Sequence, residues 1–210
     1  MKRLVTALVM LLLSAPLMAA SAMYRFDTVH SQIFFSVSHN SYSQPMGRLH
    51  IAGGWLRFDP DDVEHAATEL DIDLGSADMG DAEWNRAVRG RNFLDAAHDR
   101  LAHFKSTSVE KTSERSGILH GELTLRGVTR MVNIAFTINR VGRTIFGMHR
   151  VAGFSARATL IRDAFGMRRF AGSVGHKVAL RLEIEAIADA DARRQYQQRH
   201  PQVDADAAEK

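Results

Sequence analysis

The 210-residue sequence contains no cysteine, and this absence excludes several classes of protein. Without a thiol the chain can form neither a disulfide nor a thiolate metal site, and it cannot carry the lipid anchor that bacterial lipoproteins attach to a cysteine. The small disulfide-stapled folds of secreted proteins are therefore ruled out, and any stable fold must rest on a packed interior.

The short motifs of catalytic and metal sites are also missing. Among the ten histidines no pair is spaced as H-x-x-x-H or H-E-x-x-H, the spacings that place two ligands on one helix face. No G-x-S-x-G marks a nucleophile elbow, and the glycines form no phosphate-binding pattern. His103 and His120 are the pair most able to meet across strands, but we expect no metal site and no catalytic residues.

Long apolar runs are absent beyond the first residues, so no later segment reads as a membrane span. The N-terminus combines Lys2 and Arg3 with an apolar run over 4–13 and the small residues Ala20-Ser21-Ala22. This is the pattern of a cleavable signal peptide, with a retained membrane anchor as the alternative. We therefore predict a signal peptide over residues 1–22 and export to the periplasm of a Gram-negative bacterium.

Strong charge of either sign is lacking as well. Removal of residues 1–22 takes away Lys2 and Arg3, which lowers the formal net charge from +3 to +1. A near-neutral chain gives no reason to expect a nucleic-acid partner.

What the sequence has in abundance is alternation of apolar and polar residues. The clearest case spans residues 119–138, with Leu123 before a short break and Ile134 after it. Period two on both sides of a glycine-containing break predicts two half-buried antiparallel strands joined by a hairpin. Residues 126–130 are the predicted loop, in which Gly127 is free to take positive φ.

The same period predicts strands along most of the chain, and one segment predicts a helix. Further strands are predicted over 24–26, 32–39, 46–58, 67–74, 102–111, 144–161 and 177–188. Gly53-Gly54 is a predicted bulge. Residues 81–89 are a predicted helix, with Asp81 as its cap and Gly90 after its end.

About eight strands with hairpin connections predict an all-β antiparallel barrel or sandwich. A strand over 144–161 would reach ~60 Å at ~3.3 Å per residue, against ~17–20 Å for typical strands. Such length favours an elongated barrel with room for one thin apolar ligand, and a bore filled by its own side chains is the alternative. Residues 189–210 lack apolar periodicity, so they are predicted to be a frayed helix or flexible tail beyond a barrel domain over 23–188.

Four segments of the chain carry distinctive motifs. The hairpin reads G-E-L-T-L-R-G-V-T-R at residues 121–130, and an earlier strand carries the run His30-Ser31-x-Ile33-x-Phe35-x-Val37-x-His39. Two late runs are Gly153-Phe154-Ser155-Ala156 and Ile161-Arg162-Asp163-x-Phe165-Gly166-Met167. These segments resemble the YceI family of lipocalin-like periplasmic proteins: the hairpin is the most specific match, and the earlier run resembles the family's first long strand. Together the matches cover nearly all of the predicted mature chain.

The resemblance implies an extended eight-stranded antiparallel lipocalin-like barrel with a short helical insert. It also implies a periplasmic binding or carrier protein that holds a polyisoprenoid or other amphiphilic lipid in the bore, without catalysis and without another cofactor. The alternative is a stress-related interaction protein whose barrel is filled by side chains. Transient membrane contact and a homodimer are left open as further partnerships.

One segment departs from the family pattern. Family members usually carry Arg-Asp-x-His-Leu in the helical insert and Tyr-Pro before the next strand, where this chain has Trp84-Asn85-Arg86-Ala87-Val88 and Asp99-Arg100. If the insert covers part of the barrel, ligand choice or gating is expected to differ.

The predicted bore lining follows from the strand alternation, with Ser36 and Ser38 facing away. The side chains expected to face inward are Ile33, Phe35, Val37, His39, Leu123, Leu125, Val132, Ile134, Phe136, Phe154 and Phe165. His39, which ends an apolar face, and Arg162, in the late motif, are the candidates for contact with a ligand head group. The alternatives are a histidine hydrogen-bonded in the core and an arginine solvated in a loop.

Overall fold

In the computed structural model, which describes residues 21–145 and 147–199, strands of one antiparallel sheet close on themselves. The elements in chain order are β1 (Ala22–Phe26), β2 (Gln32–His39), β3 (Met46–Phe58), β4 (Ala67–Asp78), α1 (Ala82–Arg89), β5 (Leu101–Ser113), β6 (Ser116–Leu125), β7 (Val128–Arg143), β8 (Arg150–Ile161), β9 (Val174–Ala188) and α2 (Ala192–Arg199). Two 3₁₀ turns, Val63–His65 and Arg162–Phe165, lie in connections. Residues 1–20 of the predicted signal peptide and 200–210 of the predicted tail lie outside the described residues.

Nine strands fill eight positions around the barrel, because β1 and β2 share one position. β1 pairs with the end of β3 and the end of β9, whereas β2 pairs with the beginning of β3 and the first part of β9. Between them the Asp27 carboxylate accepts hydrogen bonds from the backbone N–H groups of Val29 and His30, which turns the chain without leaving the sheet. The predicted eight-stranded antiparallel barrel with a short helical insert is confirmed.

The β6–β7 hairpin is tighter than its sequence pattern predicted. Leu125 pairs with Val128, so the loop is Arg126 and Gly127 alone, rather than the predicted 126–130. Their φ angles of 56° and 68° are those of a type I′ turn, the two-residue turn whose twist matches that of the flanking strands. The bulge predicted at Gly53-Gly54 lies one residue earlier, where the register between β3 and β4 shifts between Ile51 and Gly53.

The single long strand predicted over 144–161 is wrong. The chain turns at residues 144–149, where the Thr144 N–H donates to the His149 carbonyl at 2.9 Å, and β7 and β8 pair on either side. Gly147 and Met148 take φ angles of 73° and 52°. Gly147 indicates a turn in the sequence, but the apolar residues on either side of it made the segment resemble a continuous strand. The longest strand is instead β7, with 16 residues.

Helix α2 packs on the outer face of the barrel, whereas the sequence predicted a frayed helix or a flexible tail from residue 189 onward. Ala192 and Tyr196 lie against Trp55, and all three are at most 4% exposed. The Arg193 guanidinium lies 4.7 Å from the Trp55 ring centroid, a cation–π contact. The tail sequence offered only these few side chains at helical spacing, too few to be seen as a buried face.

The Tyr196 hydroxyl reaches a polar group on the barrel wall. It lies 3.1 Å from Nδ1 of His103, which in turn lies 2.8 Å from the Asp71 carboxylate. Burial, then the charge of Asp71 and a hydrogen bond to it, raises the pKa of Tyr196. The phenol therefore stays protonated and joins α2 to β4 and β5.

We expect Tyr196→Ala to lower the free energy of unfolding by about 3 kcal/mol, in the range for loss of a buried aromatic side chain. For a domain of this size that is a fall of roughly 10 °C in melting temperature. Thermal denaturation followed by circular dichroism measures it, with Gln198→Ala on the exposed face of α2 as the control. Equal melting temperatures for both variants would show that α2 does not stabilise the barrel.

Candidate functional site

The bore contains two apolar cavities, one above the other. We call the upper end of the barrel the one where the β2–β3, β4–β5, β6–β7 and β8–β9 connections gather. The upper cavity has a volume of about 280 Å³ and the lower about 110 Å³. Ligand pockets for small molecules usually occupy ~300–1,000 Å³, so only the upper one approaches that range in this conformation.

The upper cavity is lined by strand residues below and by connections above. Six of the predicted lining residues surround it, namely Ile33, Phe35, Val37, His39, Leu123 and Leu125. Ser38, His39 and Arg162 are the polar members of the lining. An apolar chamber whose polar lining residues all lie toward the upper end of the barrel suits an amphiphile whose head points to that end.

The lower cavity lies near the opposite end and is lined by aromatic and aliphatic side chains. Ile134, Phe136 and Phe154, all predicted to face the bore, belong to its lining. The rings of Phe58 and Phe154 meet edge to face with centroids 5.1 Å apart, a favourable arrangement for aromatic pairs.

Packed side chains separate the two cavities. Ile51 is 3% exposed and lies on β3 between Leu49, which lines the upper cavity, and Leu56, which lines the lower one. A chain that reached through the whole bore would have to displace such side chains.

The helical insert forms the roof of the upper cavity. Asp81 caps α1 by accepting hydrogen bonds from the N–H groups of Glu83 and Trp84. Trp84, Ala87 and Val88 line the cavity, yet α1 has no buried residue. The segment that departs from the family pattern is therefore a thinly packed roof over the site, and Trp84, 43% exposed, marks where the cavity reaches the surface.

His39 lies at the mouth of the upper cavity. Its ring centroid is 5.9 Å from that of Trp84, and its Nε2 lies 3.3 Å from the Asn40 side-chain nitrogen. The strand alternation breaks here, because the β2–β9 register shifts between Val37 and His39. As a result Ser38 also lines the cavity, contrary to the prediction that it faces away.

Arg162 lines the upper cavity, but its guanidinium group is held by the protein itself. The group donates hydrogen bonds to the carbonyls of Gly175, Val174 and Arg169 at 2.9 Å, and a fourth to that of Met167. Four of its five N–H donors thus secure the β8–β9 connection. The head-group role predicted for Arg162 is corrected to a structural one, because a side chain that is 2% exposed and bonded in this way has little left to offer a ligand.

The remaining predicted lining residues lie elsewhere in the core. Phe165 is 2% exposed in the core beneath the β8–β9 connection, and Val132 packs against the main core on β7. Neither contributes to the lining of the two cavities. Alternation along a strand gives the facing direction but not the height at which the bore is open.

One group of potential metal ligands occurs in the described part of the chain. Asp27, His30 and Glu185 have ligand atoms within 4.8 Å of one another. The carboxylate of Asp27 is already bonded to two backbone N–H groups and to the His30 ring, so the group is explained by the turn between β1 and β2.

The chain matches a family model described as a YceI-like domain over residues 24–186. A UPF0312 protein of Shewanella putrefaciens is 32% identical over 188 residues, which cover 89% of this chain and 98% of that protein. A UPF0312 protein of Shewanella oneidensis matches with the same identity and coverage.

Solved structures share the architecture at lower identity. BcnA of Burkholderia cenocepacia superposes with a TM-score of 0.68 at 22% identity, over 76% of this chain and 98% of that one. A polyisoprenoid binding domain from Saccharophagus degradans gives 0.59 at 14% identity, over 80% of this chain and 99% of that one. At these identities the likeness concerns the fold.

No helix in the described part of this chain is long and apolar enough to cross a membrane.

Proposed function

The chain belongs to the YceI-like family, and from that premise we propose that it is a periplasmic carrier of an isoprenoid-type or other long-chain amphiphilic lipid, without catalytic activity. The observation that carries the proposal is the upper cavity, an apolar chamber of about 280 Å³ whose polar lining residues, Ser38, His39 and the buried Arg162, all lie toward the upper end of the barrel. The Saccharophagus degradans neighbour, described as a polyisoprenoid binding domain, supports the same class of ligand.

Apolar burial supplies the affinity in this proposal. Each buried CH₂ group contributes ~0.8 kcal/mol, so a chain that fills the upper cavity and reaches the lower one gains ample gross binding energy before the entropy costs of association. A bilayer offers the lipid nearly the same environment. The protein therefore competes with the membrane rather than trapping its ligand, which suits reversible carriage.

We assign the head-group contact to His39 within this proposal. Arg162 is engaged with backbone carbonyls, whereas the His39 ring lies beside Trp84 at the cavity mouth. Imidazole can donate to or accept from a polar head group. The tail of the ligand would point down the bore, between Leu123 and Phe35.

The alternative of a stress-related interaction protein requires a bore filled by its own side chains. Two cavities remain in the bore, and the larger is roofed by a helix without a buried residue. These features favour a bound ligand over a filled interior.

Organic extraction of the purified protein followed by mass spectrometry tests the carrier proposal. We expect a long-chain lipid in near-stoichiometric amount, and native mass spectrometry should show a matching mass increment that disappears on denaturation. An empty bore after mild purification from the native envelope would overturn the proposal.

The intact mass of the same material tests export, since cleavage near Ala22 is expected to leave a chain that begins at or near Met23.

A further inference from the structure

Every exposed aromatic side chain in the described part of the protein lies at the upper end of the barrel. Tyr42 is 92% exposed in the β2–β3 connection, Trp84 43% on α1, and Phe170 49% in the β8–β9 connection. The other described aromatic side chains are buried or partly buried. Tryptophan and tyrosine with one face exposed favour the boundary between membrane and water.

Positive charge is concentrated at the same end. Apart from the buried Arg162, the segments there, 40–46, 79–100, 126–130 and 162–176, contain eight arginines and five Asp or Glu residues, whereas the chain without its first 22 residues has a formal net charge of only +1. Arg168 and Arg169 are exposed, and the Arg169 guanidinium lies 5.6 Å from the Phe170 ring centroid. Basic residues next to exposed aromatic ones favour anionic lipid head groups.

Contacts between the connections hold these side chains on one surface. The rings of Phe93 and Phe170 stack with centroids 5.8 Å apart. The Arg126 guanidinium donates to the carbonyls of Arg91 and Phe93, which ties the β6–β7 turn to the insert. The Asn40 N–H donates to the Ser173 carbonyl at 2.6 Å, which ties the β2–β3 turn to the β8–β9 connection. We call the surface formed by Tyr42, Trp84, Arg168, Arg169 and Phe170 the upper rim.

We propose that the upper rim docks on an anionic phospholipid bilayer and sets the mouth of the upper cavity against its head groups. The inference rests on the proposed function, because docking there lets a lipid pass between bilayer and bore beside Trp84 without crossing bulk water. Few side chains enter the interface, and each arginine near an anionic surface contributes only modestly. The contact is therefore reversible and weakens as salt screens the charges.

The opposite end provides the internal control. Ile145 and Met148 are 90% and 62% exposed in the β7–β8 turn, close to the basic residues Arg143 and Arg150 that flank it. This turn has exposed apolar side chains and positive charge as well. The polar members of the upper-cavity lining, however, lie at the other end of the barrel.

Co-sedimentation with vesicles tests the docking surface, using the full chain without its first 22 residues. Vesicles of phosphatidylethanolamine and phosphatidylglycerol are compared with vesicles of phosphatidylcholine alone, at low and at high salt. We expect the protein to sediment with the anionic vesicles at low salt only. Arg168→Gln with Arg169→Gln should weaken partitioning roughly five-fold for each arginine removed.

A second pair of changes removes the aromatic contribution. Tyr42→Ser with Phe170→Asn should also weaken partitioning several-fold, and asparagine tolerates the positive φ of 60° at residue 170. Ile145→Ser with Met148→Ser, at the lower end, should leave partitioning unchanged. Circular dichroism and melting temperature establish that each variant is folded before its binding is compared.

Lipid extraction from the same preparations separates this inference from the carrier proposal. If the protein retains lipid but does not bind anionic vesicles, the docking proposal is overturned and the carrier proposal stands. If the protein binds vesicles through the upper rim but never contains lipid, the carrier proposal is overturned and the docking proposal stands. Loss of vesicle binding in the lower-end variant rather than in the rim variants would place the membrane contact at the wrong end and overturn the inference.

Discussion

Replacing Arg162 with methionine is expected to lower the free energy of unfolding by about 4 kcal/mol, or roughly 12 °C in melting temperature. The substitution leaves the carbonyls of Met167, Arg169, Val174 and Gly175 without their donor. Hydrogen bonds to a charged group contribute ~1.5–3 kcal/mol each. Removing the buried charge recovers several kcal/mol of desolvation cost, so the net loss is smaller than four such bonds.

Two further variants make this expectation specific. Arg162→Lys should recover only part of the loss, because an ammonium group cannot reach four carbonyls arranged around a planar guanidinium. Arg168→Met, at an exposed position in the same connection, should leave the melting temperature nearly unchanged. If Arg162→Met were as stable as the wild type but had lost its bound lipid, Arg162 would contact the ligand head group rather than stabilise the β8–β9 connection.

The fold was predictable because the strands alternate so regularly. Period two identified β2, β3 and the β6–β7 hairpin within a few residues, and hairpin connections between about eight strands left few architectures to consider. The misplaced turn at residues 144–149 shows the limit. Gly147 lies between Ile145 and Met148, both exposed, and apolar residues at a hairpin tip look the same in sequence as apolar residues of a strand.

The site was predictable in its facing directions but not in its details. Alternation placed Ile33, Phe35 and Val37 around the upper cavity, yet it could not indicate that a register shift brings Ser38 there too. Nor could it indicate that the Arg162 side chain folds back onto its own connection. Its partners are backbone carbonyls 5–13 residues away in sequence. Every residue has a backbone carbonyl, so the sequence does not show which of them will accept a hydrogen bond.

Helix α2 shows a different limit of sequence reasoning. Its helical propensity was visible, but its docking depends on a complementary patch around Trp55 and Asp71 on the outer face of β3 and β4. Outward-facing residues of a barrel are usually assigned to solvent. The two halves of this contact lie far apart in sequence, and neither half is unusual without the other.

The second large effect concerns the upper cavity itself. Val37 lines it, whereas Ser36, one residue earlier, does not contribute to the lining. Neighbouring side chains on a strand point to opposite faces of the sheet. Val37→Glu therefore places a carboxyl group in an apolar chamber, where an unpaired charge is costly and the group either stays protonated or draws in water.

We expect Val37→Glu to reduce bound lipid at least ten-fold, with some loss of stability, and Ser36→Glu to leave bound lipid nearly unchanged. The measurement is lipid per protein after identical purification, with circular dichroism to establish that both variants are folded. The pair matches in charge, size and position along β2, so only the facing direction differs. If Ser36→Glu emptied a folded barrel and Val37→Glu did not, the inner and outer faces of β2 would be inverted. If neither changed bound lipid, the upper cavity would not be the binding site, because a carboxyl group at its wall cannot be neutral toward a hydrocarbon chain that fills it.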